Sequence, residues 1–337
     1  MLAEALNVTV QTVSKALSGK PGMSEQTRSR IFKAAEEMGY YTKEQIRSLI
    51  LDRIEPYPHE TKRFVIVQMN SSNYNRLLLQ GLRKRLNMLG HQIERIIVPK
   101  LNHEKAIKEW IEEKSLSYTD GIFLTPTLPK AWETCLLEVP VPHVLIGYPA
   151  PGLQADSIIW DVSEAVWQAV MHLQQLGHSK IMYVGEIGRQ QGYLLRWQSF
   201  TQALKEKVGV GVDAEVHFTK RSSYDPGWGQ ELEQMLTAIR PSAVLCGIDE
   251  DVSKVYDLCL SLGWRVPEDI SIVGMLNEER EDLPPFSRPE LPIVETGCRA
   301  ADRMLWRLAN PVRPFEHIRI QGRFVPGKTT APVSKTP

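Results

Sequence analysis

The sequence has no net charge, few cysteines and no long apolar run. It carries 40 Lys plus Arg against 40 Asp plus Glu in 337 residues, which excludes a chain that is basic throughout, such as a histone-like coat. Its four cysteines form neither a CxxC pair nor a zinc-ligand cluster. We therefore expect reduced thiols and no metal. The apolar runs fall far short of the roughly 20 residues that cross a bilayer. No signal-peptide core opens the chain, so we expect a cytoplasmic protein without a membrane role.

The chain divides into three zones by pattern. Residues 1–41 have apolar residues at helical spacing, with breakers at Asn7 and around Pro21. Residues 42–63 combine a short helical stretch with two prolines, Pro56 and Pro58, and are typical of a linker. Residues 64–337 alternate strand-like runs such as FVIVQM and GIFL with helical patterns. This alternation predicts an α/β fold with parallel sheets, split into two lobes.

The first zone is predicted to be a helix-turn-helix. Val13, Ala16 and Leu17 would pack inward, and Thr9 and Ser24 are suitable N-caps. The outward face would then carry amide, hydroxyl and ammonium groups that can bind bases and phosphates: Gln11, Thr12, Ser14, Lys15 and Ser18. Residues 1–54 have eight basic and six acidic side chains, a net charge of +2. A small helical bundle with a polar surface is the alternative at this point.

The string LAEALNVTVQTVSKALSGKPGMSEQTRSRIFKAAEEMGY resembles the DNA-binding domain of the LacI/GalR family of transcriptional regulators. The resemblance implies that Thr9, Thr12, Ser14 and Ser18 contact phosphates. It implies that Val10, Gln11 and Lys15 contact bases, with Lys15 in place of the usual arginine. Met1 stands where the family has the aspartate that begins the first helix. We therefore expect a slightly truncated domain or a translation start further upstream.

The stretch KEQIRSLILD is too short to form a stable helix alone. The resemblance implies a hinge helix that pairs with its dimer mate on DNA. Arg47 then lies just before the position of a leucine, Leu49, that enters the minor groove and unstacks a base step. An ordinary core leucine of a linker helix is the alternative.

The third zone has no catalytic constellation, and its glycines between Gly185 and Gly192 do not form a GxGxxG motif. We therefore expect neither an enzyme nor a cofactor. Segments such as MHLQQLGHSKIMYVG and LGWRVPEDISIVGM resemble the periplasmic-binding-protein-like effector domain of the same family. This implies a first lobe at about residues 64–159 plus 287–315 and a second at about 160–286 plus 316–333.

The resemblance also implies an effector site between the lobes. By position it would contain Tyr74, Arg196, Asp249 and Glu295, and Tyr224 is a further candidate for an aromatic wall. Arg196 and Asp249 together could hold a polyol, and a salt bridge between lobes is the alternative. Gly147, Gly192 and Met275 depart from the residues common in the family, which points to an unusual effector or to a cleft that has lost its ligand.

The sequence therefore predicts a homodimeric, DNA-binding transcriptional repressor. Its partners would be double-stranded operator DNA and a small, sugar-like effector. A cytoplasmic solute-sensing protein with an impaired DNA-binding domain is the alternative function. An α/β enzyme is a third possibility, for which the sequence offers no acid/base pair.

Overall fold

A computed structural model describes residues 2–17, 23–38, 61–188, 190–209 and 213–333. At the N-terminus it has three helices, α1 (Leu2–Ala5), α2 (Val10–Leu17) and α3 (Glu25–Glu37). Both predicted N-caps are confirmed: Thr9 Oγ1 accepts the Thr12 N–H at 3.0 Å, and Ser24 Oγ accepts the Thr27 N–H at 3.2 Å. The predicted inward side of α2 is buried against α1 and α3, in a core of Leu2, Val13, Ala16, Leu17, Ile31, Phe32 and Ala35.

The first lobe is built on a six-stranded parallel sheet. In chain order its elements are β1 (Arg63–Gln68), α4 (Asn73–Met88), β2 (Gln92–Ile97), α5 (Glu104–Glu113), β3 (Gly121–Leu124), α6 (Lys130–Leu137), β4 (His143–Leu145) and β5 (Asp156–Trp160), joined later by α11 (Ile293–Ala309) and β10 (His317–Ile320). The strand order is β10-β5-β4-β3-β1-β2. The runs that form β3 and β5 are buried throughout, because helices cover both faces of a parallel sheet.

The second lobe is smaller and has a three-stranded parallel sheet. Its elements are α7 (Val162–Gln175), β6 (Ile181–Val184), α8 (Gln191–Ala203), α9 (Trp228–Ile239), β7 (Ala243–Cys246), α10 (Asp249–Ser261) and β8 (Ser271–Gly274). The strand order is β6-β7-β8. Two short antiparallel strands, β9 (Arg288–Pro289) and β11 (Phe324–Val325), pair where the chain passes between the lobes.

The lobe boundary near the C-terminus differs from the one predicted from the sequence, which assigned residues 316–333 to the second lobe. Strand β10 lies beside β5 in the first-lobe sheet, with His317 opposite Ser157 and Ile320 opposite Trp160. Contacts with the second lobe begin after β10: the Gly322 carbonyl accepts from Gln168 Nε2 of α7 at 3.0 Å, and the Ile272 N–H donates to the Thr329 carbonyl at 2.7 Å. The chain therefore crosses between the lobes three times.

Candidate DNA-reading face and interlobe cleft

The outer side of α2 carries the predicted DNA-binding residues. Thr9, Gln11 and Ser14 are exposed, and Val10 is 75% exposed. Thr12 and Lys15 are partly exposed on the same helix. An exposed valine at this helix start is free to contact a thymine methyl in the major groove. We call this surface, formed by residues 9–12, 14 and 15, the reading face.

The reading face is held firmly by local contacts. The Thr9 and Thr12 hydroxyls lie 2.8 Å apart, in addition to the capping bond. On α3, the Arg30 guanidinium donates to the Leu6 carbonyl at 3.0 Å, which connects the third helix to the first. Together with the core that α2 shares with α1 and α3, these contacts hold α2 in a fixed orientation, as a recognition helix requires. Ser18, Arg47 and Leu49 lie outside the described residues, so their predicted DNA contacts stay predictions.

The carboxyl ends of the first-lobe strands form one wall of the interlobe cleft. Tyr74 lies in the first turn of α4, shortly after β1, and its ring packs edge-on against Trp160 at the end of β5, with ring centres 5.4 Å apart. Burial raises the pKa of Tyr74, and the nearby Arg196 guanidinium partly offsets this rise. Since Arg196 is on α8 of the second lobe, the structure brings these two predicted residues together across the cleft.

Arg196 is the buried centre of the opposite wall. It is 7% exposed, and its Nη1 donates to the carbonyl of Gly247. The guanidinium lies 5.2 Å from the ring centre of Tyr193, one turn earlier on α8. Its Nε has no hydrogen-bond partner among the described residues. The guanidinium thus retains an unused donor beside the cleft.

Tyr183 adds a further aromatic side chain next to Arg196. Burial raises its pKa, partly offset by the Arg196 charge. A Cβ on Gly247 would lie 2.0 Å from the Tyr183 hydroxyl oxygen, so only glycine leaves room for this tyrosine. Tyr183, Tyr193 and Trp160 do not stand out in the sequence, since aromatic residues in strands and helices usually indicate core packing.

Asp249 lies at the start of α10 and is bound by Asn277, which follows β8. Its two carboxylate oxygens accept the backbone N–H and the side-chain amide of Asn277, each at 2.9 Å. Burial raises the pKa of Asp249, and the bonds from Asn277 partly offset this effect. Arg196 and Asp249 both belong to the second lobe and form no ion pair within 4.0 Å. Arg196 and Asp249 therefore do not form the interlobe salt bridge that was the alternative for this pair.

Two further predicted site residues lie outside this buried group. Tyr224 is 70% exposed, and the Lys254 ammonium lies 5.0 Å from its ring centre. Glu295 is exposed in the first turn of α11, close enough to Cys298 to raise the pKa of that thiol together with burial, which is the larger effect. Their roles in effector binding stay predictions.

Within the described ranges, no group of histidine, cysteine and acidic side chains is arranged to hold a metal ion. Among the same residues, no helix is both long and apolar enough to cross a membrane.

Comparison with known proteins supports the division into two functional parts. Residues 2–43 match the bacterial regulatory proteins of the lacI family, and residues 170–330 match the periplasmic binding protein-like domain. The transcriptional regulator DegA of Bacillus subtilis is 26% identical over 303 residues, covering 88% of this chain and 87% of DegA.

Solved structures have the same fold. The lac repressor dimer bound to operator and an anti-inducer aligns with a TM-score of 0.68 and 20% identity, covering 98% of both chains. A LacI-family regulator from Enterococcus faecium with bound ribose aligns with a TM-score of 0.67 and 21% identity, covering 81% of this chain and all of that one. The reading face, the two-lobed fold and the matches at both ends lead to one conclusion: the chain belongs to the LacI family of bacterial transcriptional regulators.

Proposed function

We propose that the protein is a transcriptional repressor that binds a pseudo-palindromic operator as a homodimer and responds to a small, sugar-like effector in the interlobe cleft. The reading face is the observation that carries this proposal. It presents an amide, hydroxyls and a lysine on a capped, braced helix, and these are the groups that bind base edges and phosphates in the major groove.

The linker supplies the second part of the proposed DNA contact. Arg47 and Leu49 belong to a hinge helix that orders on the operator, where Leu49 enters the minor groove. Insertion of an apolar side chain disrupts base stacking, and the additional contacts that bent DNA permits offset this cost. This step needs no catalysis and no cofactor, and it takes place on DNA in the cytoplasm.

The effector controls the operator complex by binding two arrangements of the lobes with different affinity. The cleft joins Tyr74 of the first lobe to Arg196 of the second, so a ligand there contacts both lobes at once. The ribose bound to the Enterococcus faecium regulator supports a sugar-like ligand for the present chain.

The test is selection of bound duplexes from a random DNA pool by the full-length protein. We expect one pseudo-palindromic sequence, bound with an affinity that falls steeply as salt concentration rises. Gln11→Ala should weaken binding to that sequence, whereas the matched change Gln174→Ala, on the exposed side of α7, should leave it unchanged. Binding that ignores sequence would instead support a solute-sensing protein with an impaired DNA-binding domain.

The hinge has its own test on the selected operator. Leu49→Ala should reduce affinity for the operator far more than affinity for random DNA, because only in the specific complex do other contacts offset the cost of unstacking a base step. An equal loss on both DNAs would contradict the insertion of Leu49.

A further inference from the structure

A cavity opens at the amino ends of β4 and β5, at the far end of the first-lobe sheet from the interlobe cleft. Its volume is about 580 Å³, and its lining includes His143 of β4 and Ala155 just before β5. Small-molecule sites usually have volumes of about 300–1,000 Å³. At about 3.3 Å per residue, β5 places Ala155 roughly 16 Å from Trp160 at the cleft. This amino-end cavity is therefore separate from the proposed effector site.

The walls of the amino-end cavity are mostly apolar. Six of the apolar side chains that line it are at least partly exposed: Leu137, Val141, Pro142, Leu153, Leu308 and Phe315. The largest of them, Phe315, is 46% exposed. Covering such side chains removes apolar surface from water, which is favourable in proportion to the area covered. The cavity therefore offers its walls to an apolar molecule.

Arg307 is the one charged side chain among the described residues that line the cavity, and its charge is already compensated. Its Nε and Nη2 both donate to the Asp156 carboxylate. Nη2 also donates to the Pro314 carbonyl at 2.9 Å, and Nη1 donates to the Arg313 carbonyl at 2.6 Å. Because all three guanidinium nitrogens have acceptors within the protein, Arg307 leaves no donor for an anionic ligand.

The histidine in the wall, His143, adds no charge. Burial lowers the pKa of His143 to about 4, and a backbone hydrogen bond at Leu136 offsets only part of this fall. Its ring is therefore neutral near neutral pH. A charged ligand would give up its hydration in the amino-end cavity without gaining an opposite charge, which is costly. The walls therefore favour an uncharged molecule.

We propose that the amino-end cavity is a second small-molecule site, which binds an uncharged, largely apolar molecule of one or two rings that packs against Phe315 and Leu153. The cavity is larger than the roughly 150 Å³ that holds one benzene ring. Its apolar side chains surround a single hollow, whereas a stable protein interface covers about 800 Å² on each partner. A small molecule therefore fits better than a second protein. The site is additional to the proposed effector cleft and does not depend on it.

The test uses two pairs of ring compounds that differ in charge: indole and indole-3-carboxylate, and 2-naphthol and 2-naphthoate. Each compound is titrated calorimetrically into the full-length protein near neutral pH. We expect the neutral member of at least one pair to bind about tenfold tighter than its anionic partner, or more, because the cavity supplies no opposite charge. The pair that responds indicates whether one or two fused six-membered rings fit.

Two variants assign the binding to the amino-end cavity. Leu153→Trp fills the cavity and should abolish binding. Its matched control is Leu101→Trp, since both leucines are partly buried in loops that pack on the same core. Phe315→Ala removes one wall and should weaken binding several-fold. Val312→Ala, which shortens a 93% exposed side chain of the same segment, should change nothing. If Leu153→Trp does not fold, Phe315→Ala still decides.

Three results would overturn the proposal. One is that no neutral probe binds, or that the anionic members bind equally or more tightly. Another is binding that neither Leu153→Trp nor Phe315→Ala weakens, which would place the probes elsewhere, such as in the interlobe cleft. The third is a larger assembly of the parent protein than of Phe315→Ala in sedimentation, which would show that a second copy of the chain covers the cavity.

Discussion

Arg307 and Asp156 form an ion pair that is buried inside the first lobe. The Arg307 Nε donates to Asp156 Oδ2 at 2.7 Å, and the same carboxylate accepts the Arg303 Nε at 2.8 Å and the Glu316 N–H at 2.9 Å. Burial alone would raise the pKa of Asp156, but these hydrogen bonds together lower it. One carboxylate at the start of β5 therefore fastens the end of α11 and the segment that leads into β10.

The change Asp156→Asn tests this connection. It leaves the buried Arg307 without its counter-ion and Arg303 with only the half-exposed Glu316, so we expect the free energy of unfolding to fall by about 3–5 kcal/mol. Urea denaturation measures this loss of unfolding free energy. Asp269→Asn, which breaks the exposed pair with Arg265, is the control and should have little effect. Equal losses in both variants would mean that the buried pair contributes no more than a surface one.

This network explains why the sequence predicts some parts of the fold and not others. The N-caps Thr9 and Ser24 and the inward face of α2 follow from contacts within a few residues, and they are confirmed. The position of β10 depends on its register against β5 and on the Asp156 clamp, which joins residues about 150 positions apart. No local pattern in His317–Ile320 contains that information.

The candidate site divides in the same way. Family resemblance placed Tyr74 and Arg196, and the structure brings them together. The resemblance did not reveal that Asn277 binds both carboxylate oxygens of Asp249, because this contact between a helix start and a loop 28 positions further along depends on the three-dimensional arrangement. Trp160 and Tyr193 were missed because their sequence context is typical of core residues.

A second prediction concerns the close approach of α4 and α11. A Cβ on Gly297 would lie 2.4 Å from the Leu78 carbonyl oxygen, a backbone atom that cannot move alone. Gly297→Ala should therefore force the helices apart and destabilise the protein by about 1–3 kcal/mol.

The matched control is Gly229→Ala in α9, where nothing lies within 4 Å of the added methyl group. Removing a flexible glycine from a helix should leave stability unchanged or raise it by up to about 1 kcal/mol. Thermal or urea unfolding of both variants gives the comparison. Similar effects in the two variants would show that position 297 tolerates alanine as an ordinary helical position does.

A third prediction concerns specificity at the reading face. Lysine offers a point charge to a guanine, whereas arginine can bind O6 and N7 together. If Lys15 contacts a guanine of the selected operator, Lys15→Arg should increase discrimination at that base pair by about 1–3 kcal/mol. The measurement compares affinities for the operator and for single-base variants of it.

Lys33→Arg on the exposed side of α3 is the control for Lys15→Arg, since it makes the same chemical change away from the reading face. It should leave the base preference as it is. Unaltered discrimination by Lys15→Arg at every position would remove Lys15 from the base-reading residues and leave it a phosphate contact at most.

The last prediction concerns pH. His217 is buried between the rings of Trp197 and Phe200, with ring-centre distances of 5.1 and 5.2 Å, and its Nδ1 accepts the Tyr183 N–H at 3.1 Å. Burial lowers the pKa of His217 to about 4. The unfolded chain, with an ordinary histidine pKa of about 6.5, takes up a proton first as pH falls. Stability is therefore complete above about pH 6.5 and declines between pH 6.5 and 4.

The variant His217→Asn separates this contribution from the others. Asparagine keeps an acceptor for the Tyr183 N–H but does not titrate, so unfolding free energy should fall less steeply between pH 6.5 and 4 than in the parent protein. His317→Asn, on an exposed position of β10, should keep the parent slope. Part of the slope must remain in His217→Asn, because burial also lowers the pKa of His143 to about 4. An undiminished slope would mean that His217 has the same pKa in the folded and in the unfolded chain. Its burial among aromatic rings argues against that outcome.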